Sequence, residues 1–228
     1  MNSRTLSGPI GGLILFVIGL SASAAFALNF PAVEGLGTKV RLPVFHGALT
    51  WVNLALFAIL GAVAVAYLIT RKDAVYGWAE AVRWVAIPAW IIGSGLGLFA
   101  ALNTWDFTGS KASPLEVAMA DPRLVAQFWI MIAGLGVLAL ALLIDEPLWL
   151  AGADVAFVVL AWVVLLQAIL GRGRALHPDS PVMNSDEVFI KLMFLGIVAG
   201  FALASFGAAL AIKRWRAGVR RGADELVA

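Results

Sequence analysis

Six apolar stretches, each long enough to cross a lipid bilayer, constrain this chain more than any other feature. A membrane-spanning helix needs about 20 apolar residues, and backbone groups inside lipid must pair with one another. The sequence lacks the alternating segments of a membrane barrel. We therefore predict an all-α polytopic membrane helix bundle of about six transmembrane helices, forming one integral membrane domain over residues 1–228. The predicted helices are 9–28, 43–70, 81–101, 124–144, 148–170 and 188–212.

The composition argues against a soluble enzyme. Hydrophobic residues make up 62% of the chain and charged residues 13%, against about 25% charged residues in soluble domains. The absence of cysteine excludes disulfides, thiolate metal sites and covalent haem attachment through a CxxCH motif. We find no P-loop, Rossmann fingerprint, GxSxG or HExxH motif. We therefore expect no independent catalytic activity.

The basic residues favour an orientation with both termini in the cytoplasm. The 16 Lys and Arg residues divide nine to seven between the two sides, with the larger number beside the termini. The cluster at 213–216, followed by Arg220 and Arg221, is the strongest signal. This distribution fits anionic lipid better than nucleic acid. We predict a multi-pass protein of the cell inner (cytoplasmic) membrane. Residues 21–27 resemble a signal-peptide cleavage region, but we expect the first helix to be retained.

The only two histidines, His46 and His177, are predicted to lie near the same outer membrane face. His46 follows the start of the second predicted helix, and His177 follows the end of the fifth. Two imidazoles on opposing helices can ligate one haem iron axially. The alternative is that each is an interfacial histidine, hydrogen-bonded to a loop carbonyl. The first reading predicts a metal site formed by both residues.

Other residues predicted on the outer face suit a bound haem. Arginine pairs with carboxylates such as haem propionates, and tryptophan stacks on flat aromatic ligands. The alternatives are that the tryptophans anchor the protein at the interface, and that Asp121 caps the helix that starts at Pro122. Arg123 can also pair with Asp121 or with lipid phosphate. The candidate cofactor-binding residues are Trp105, Asp121, Arg123, Trp129, Arg172 and Arg174, with the two histidines.

Few polar residues interrupt the predicted spans. Asp154 lies near the inner end of the fifth helix, where we expect its side chain to reach the interface rather than stay buried. Gly93, Gly95 and Gly97 are expected to permit close helix packing. The other candidate buried polar residues are Asn53, Ser94, Gln127 and Gln167.

Three segments resemble the haem-handling CcmC-like group of the cytochrome c assembly superfamily. They are FHGALTW at 45–51, DPRL at 121–124 and LHPDSP at 176–181. The resemblance implies that His46 and His177 are axial haem ligands on the outer face. It also implies that Asp121 ends the segment that serves the family as a porphyrin platform, with Arg123 beside it. The tryptophans of that platform have no counterpart at 116–120.

The sequence leaves three functions open. The first is a protein that holds haem b between the two histidines and presents it to membrane or periplasmic partner proteins. The second is a b-type cytochrome subunit of a respiratory complex, which transfers electrons between quinone and an outer redox partner. The third is a cofactor-free membrane anchor subunit. All three place the chain in contact with membrane lipid, and none involves nucleic acid.

Overall fold

The computed structural model describes residues 3–144, 146–171, 182–183 and 185–227, with side chains described between 9 and 219. Every named element within these ranges is helical, which confirms the all-α prediction. Six of the described helices are long and apolar enough to cross a membrane. The helices are α1 (Ser3–Leu28), α2 (Arg41–Thr70), α3 (Asp73–Thr104), α4 (Pro114–Ala118), α5 (Pro122–Leu143), α6 (Pro147–Leu170) and α7 (Val188–Val227), with a 3₁₀ turn at Thr38–Val40.

Helices α3 and α7 extend well beyond their predicted ends on the same side of the bundle. The third predicted span begins at Asp73 rather than at 81, and the last runs to Val227 rather than to 212. These added turns pack against each other. Glu80 pairs with Arg216, and the Lys213 ammonium lies 4.0 Å from the centre of the Trp78 ring. The turns of α3 and α7 that lie beyond the apolar stretches are thus paired with each other through their side chains.

Six crossings place the start of α1 and the end of α7 on one side of the bundle. We call this side the terminal face, and it also carries the tight α2–α3 and α5–α6 connections. The opposite side, the loop face, carries the segments 29–40 and 105–121, the end of α6 and the start of α7. Between the two faces, the Phe57 ring packs against the rings of Trp90 and Phe157, with both centroids 5.2 Å away. These aromatic contacts join α2, α3 and α6 in the core.

Small residues bring α1 and α7 into close antiparallel contact. A methyl group added at Gly12 would lie 2.6 Å from the Gly207 carbonyl oxygen, and one added at Gly19 would overlap the backbone of Ala204. The Ser23 hydroxyl donates a hydrogen bond to the Ile197 carbonyl at 2.8 Å. Apolar side chains gain little from leaving lipid, so close backbone approach and hydrogen bonds hold such helices together.

We predict that Gly19→Leu lowers the free energy of unfolding by about 1–3 kcal/mol, because the added side chain has no space against α7. Thermal unfolding in detergent measures the loss. Gly11→Leu is the matched control, since a methyl group at Gly11 meets only the end of Arg214, at 3.7 Å. Equal stability of the two variants would contradict the close packing of α1 on α7.

A buried ion pair joins α3 to α6. Arg83 Nε and one terminal nitrogen each donate to an Asp154 carboxylate oxygen at 2.7 Å. The two side chains are 1% and 0% exposed. The prediction that Asp154 reaches the interface is therefore wrong, because a buried arginine from the neighbouring helix satisfies its carboxylate. A two-point pair of this kind fixes the register of one helix against the other.

Asp154→Asn is predicted to destabilise the protein by about 3–5 kcal/mol, because it leaves the Arg83 charge buried without its counter-charge. The double variant Arg83→Met with Asp154→Leu should recover most of the loss, since it removes both charges. The melting temperature in lipid nanodiscs measures both effects. Asp73→Asn, at an exposed position on α3, is the control and should leave the melting temperature unchanged.

Candidate functional site

The His46 side chain is buried where α2 meets α3 near the loop face. The residue is 9% exposed, and Nδ1 lies 2.9 Å from the carbonyl oxygen of Gly93. A carbonyl only accepts hydrogen bonds, so Nδ1 carries the proton. In the neutral ring the lone pair is therefore on Nε2, the form in which histidine binds metals. The partner carbonyl belongs to a helix, whereas the interfacial alternative expected a loop carbonyl.

Gly97 provides the space that the imidazole occupies. A methyl group added there would lie 2.6 Å from His46 Cε1 and 2.9 Å from Nε2. The same added methyl would lie 3.1 Å from Gln127 Oε1, which approaches from α5. We expected Gly97 to permit close packing of helices. In the structure it permits close packing of the His46 ring against α3. The Nε2 edge of the imidazole faces a junction of three helices, α2, α3 and α5.

Buried amide groups near this junction have unused hydrogen-bonding capacity. Asn53 lies two turns after His46 on α2 and is 0% exposed. Neither of its amide atoms has a partner among the described residues, and neither does Gln127 Oε1. Such groups are rare, because leaving a buried polar atom unpaired costs about 1–3 kcal/mol. The junction can therefore both donate hydrogen bonds to and accept them from a bound group or solvent.

Asp121 caps α5, as its alternative interpretation predicted. It is fully buried, and its Oδ1 accepts hydrogen bonds from the backbone N–H groups of Arg123 at 2.8 Å and Leu124 at 3.3 Å. This cap fixes the start of the helix that carries Gln127. The Arg123 Nε atom is buried without a partner among the described residues. Arg123 therefore keeps donor capacity close to the loop face.

The structure places the two candidate tryptophans differently. Trp105 packs with Leu98 on a small cluster formed by Ala101, Ala118 and Leu124, which brings it beside the start of α5. Trp129 is 60% exposed. It lies about 200° around α5 from Gln127, on the opposite face of that helix. Trp105 thus lies close to the capped start of α5. Trp129, by contrast, is as exposed as expected for a membrane anchor.

The loop between α3 and α5 is ordered by its own acidic side chains. Hydrogen bonds from the Thr108 hydroxyl and backbone lower the pKa of Asp106. The backbone N–H and then the hydroxyl of Ser113 lower the pKa of Glu116, in a capping box that starts α4. Both carboxylates are consequently ionised at neutral pH. Their hydrogen bonds hold the segment that leads into Asp121.

His177, Arg172 and Arg174 lie outside the described residues. Their approach to His46 therefore stays a prediction. The part of the chain that the structure describes contains no group of three His, Cys, Asp or Glu residues placed to hold a metal ion.

No protein-family model matches the chain, and no curated protein matches it significantly.

Gly97→Ala is predicted to displace the His46 ring and break the bond from Nδ1 to Gly93. Nitrogen-15 NMR of histidine-labelled protein in nanodiscs reports which ring nitrogen carries the proton, and His46→Ala assigns the signal. Gly95→Ala is the control, because nothing lies within 4 Å of a methyl group at that position. If the His46 signal stays the same in both variants, the ring does not depend on Gly97 for its position.

Proposed function

We propose that this chain is a haem-binding membrane protein that holds haem b near the outer face, between His46 and His177, and presents it to a partner in cytochrome c assembly. The observation that carries the proposal is the buried His46 ring, whose Nδ1 proton is donated to Gly93. This arrangement fixes the tautomer that leaves the lone pair on Nε2, the atom that ligates iron.

The hydrogen bonding of His46 would suit a ligand to iron. The hydrogen bond from Nδ1 to a backbone carbonyl makes Nε2 more basic and orients the ring, as is usual for metal-binding histidines. Gly97 leaves room for the ring against α3. Haem iron takes its equatorial ligands from the porphyrin, so the protein needs to provide only axial donors. One imidazole from α2 and one from the segment after α6 would meet that need.

The loop face supplies the groups that would hold the periphery of the ligand. Arg123 has a buried Nε with no partner among the described residues, and a guanidinium suits the two oxygens of a propionate. Asp121 acts through the backbone, since its cap fixes the turn from which Arg123 projects. Trp105 offers an aromatic surface beside the same turn. When bound, haem supplies the iron centre; the chain orients it and limits its contact with water.

A second function, a fixed b-type electron-transfer centre, is supported by the low exposure of His46 together with the missing tryptophans. His46 is 9% exposed, and no tryptophan occurs at 116–120. A cofactor held by a buried ligand and without an exposed platform suits a permanent centre more than a transferable cargo. In that case a quinone and an outer redox protein would be the partners. The third alternative, a membrane anchor, requires no cofactor.

The visible spectrum of the purified protein tests both haem functions. We expect a Soret band and a pyridine haemochrome of b type, both lost in His46→Ala and in His177→Ala because each removes an axial ligand. Trp129→Phe is the control and should keep the pigment, since its ring is largely exposed away from Gln127. A folded protein that stays colourless after reconstitution with haemin would overturn both haem functions and favour the anchor.

Haem release separates the carrier from the fixed centre. A carrier should transfer haem to an excess of apomyoglobin, whereas a fixed centre should retain it and undergo reduction by a quinol. Both are followed by absorbance in the same preparation. Retention together with quinol reduction would replace the carrier proposal by the electron-transfer function.

A further inference from the structure

A long apolar groove runs along the outside of the bundle, between α2, α3 and α7. It has a volume of about 540 Å³ and extends along α2 from Trp51 to Val63. At the helical rise of about 1.5 Å per residue, that length is about 18 Å. This matches one leaflet of a hydrocarbon core about 30 Å thick. The groove therefore has the length of a single lipid tail.

The groove is open to the membrane and almost free of polar groups. Phe206 from α7 and Ile59 from α2 line it and are 52% and 47% exposed. Its polar groups are the Ser205 hydroxyl and the indole N–H groups of Trp51 and Trp78. A quinone ring needs hydrogen-bond partners for two carbonyl oxygens, whereas an acyl chain needs none. The lining thus suits a saturated or unsaturated hydrocarbon tail.

A lysine lies at the end of the groove on the terminal face. Ala202, Ala209 and Lys213 follow one another along one side of α7, and the two alanines line the groove. The Lys213 ammonium lies 4.0 Å over the ring of Trp78, which also lines it. The salt bridges formed between described side chains are Arg83–Asp154 and Arg216–Glu80, and neither of them includes Lys213.

We propose that this groove binds one anionic phospholipid, with an acyl chain between α2, α3 and α7 and the phosphate on Lys213. The charge on Lys213 complements the phosphate, while its cation–π contact with Trp78 holds the ammonium at the mouth of the groove. Trp78 suits the interface between headgroups and tails. The predicted orientation places this mouth in the cytoplasmic leaflet, which carries anionic lipids. The proposal is independent of haem binding.

Native mass spectrometry of the purified protein, incubated with phosphatidylglycerol or with phosphatidylcholine of identical acyl chains, tests the proposal. Wild type should retain phosphatidylglycerol about fivefold more than phosphatidylcholine, the effect of about one lysine–lipid attraction. Lys213→Gln should abolish this preference, because it removes the charge and keeps the tail site. Ala202→Trp should reduce retention of both lipids, because its ring fills the groove.

Two matched variants make the outcome decisive. Lys191→Gln removes an exposed lysine from the loop-face end of the same helix, and Ala139→Trp adds a ring at an exposed position of α5. Both should bind phosphatidylglycerol like the wild type. Equal retention of the two lipids by wild type, or equal losses in Lys213→Gln and Lys191→Gln, would overturn the proposal. A quinone retained in the groove in place of phospholipid would overturn it as well.

Discussion

Pairing of polar groups inside an apolar environment is the constraint on which this structure depends. Hydrocarbon gives helices no hydrophobic reason to associate, so specific contacts must set their arrangement. Such contacts include the Arg83–Asp154 pair between α3 and α6, the hydrogen bond from His46 to Gly93 between α2 and α3, and the Ser23 bond between α1 and α7. Aromatic packing around Phe57 fills the space between them.

The sequence predicted the six spans because apolar length is a local property of the chain. It did not predict the ends of α3 and α7, because the Glu80–Arg216 pair joins residues that are 136 positions apart. The burial of Asp154 was not predicted, for the same reason. Its distance from the interface could be estimated from the sequence, but its partner Arg83 is 71 positions away on another helix.

The candidate site was predicted in part. The composition and order of the helices placed His46 near one face, and the Asp-Pro pair indicated the cap that Asp121 forms. The environment of the ring was not visible in the sequence. A glycine in an apolar run is typical of helix packing, and nothing local distinguishes Gly97, which accommodates an imidazole, from Gly95, which has open space beside it. Only the position of α2 against α3 makes that distinction.

The antiparallel contact of α1 with α7 has a consequence for assembly in the membrane. Among the six spans, α1 is synthesised before the other five and makes its most extensive contact with α7, which is synthesised after them. The glycine-bearing face of α1 must therefore stay in lipid until the other five spans have been made. Contacts so distant in sequence form late, because the intervening chain must be arranged first. The pairing of α1 with α7 is therefore a closing step, which completes the bundle after the central helices have met.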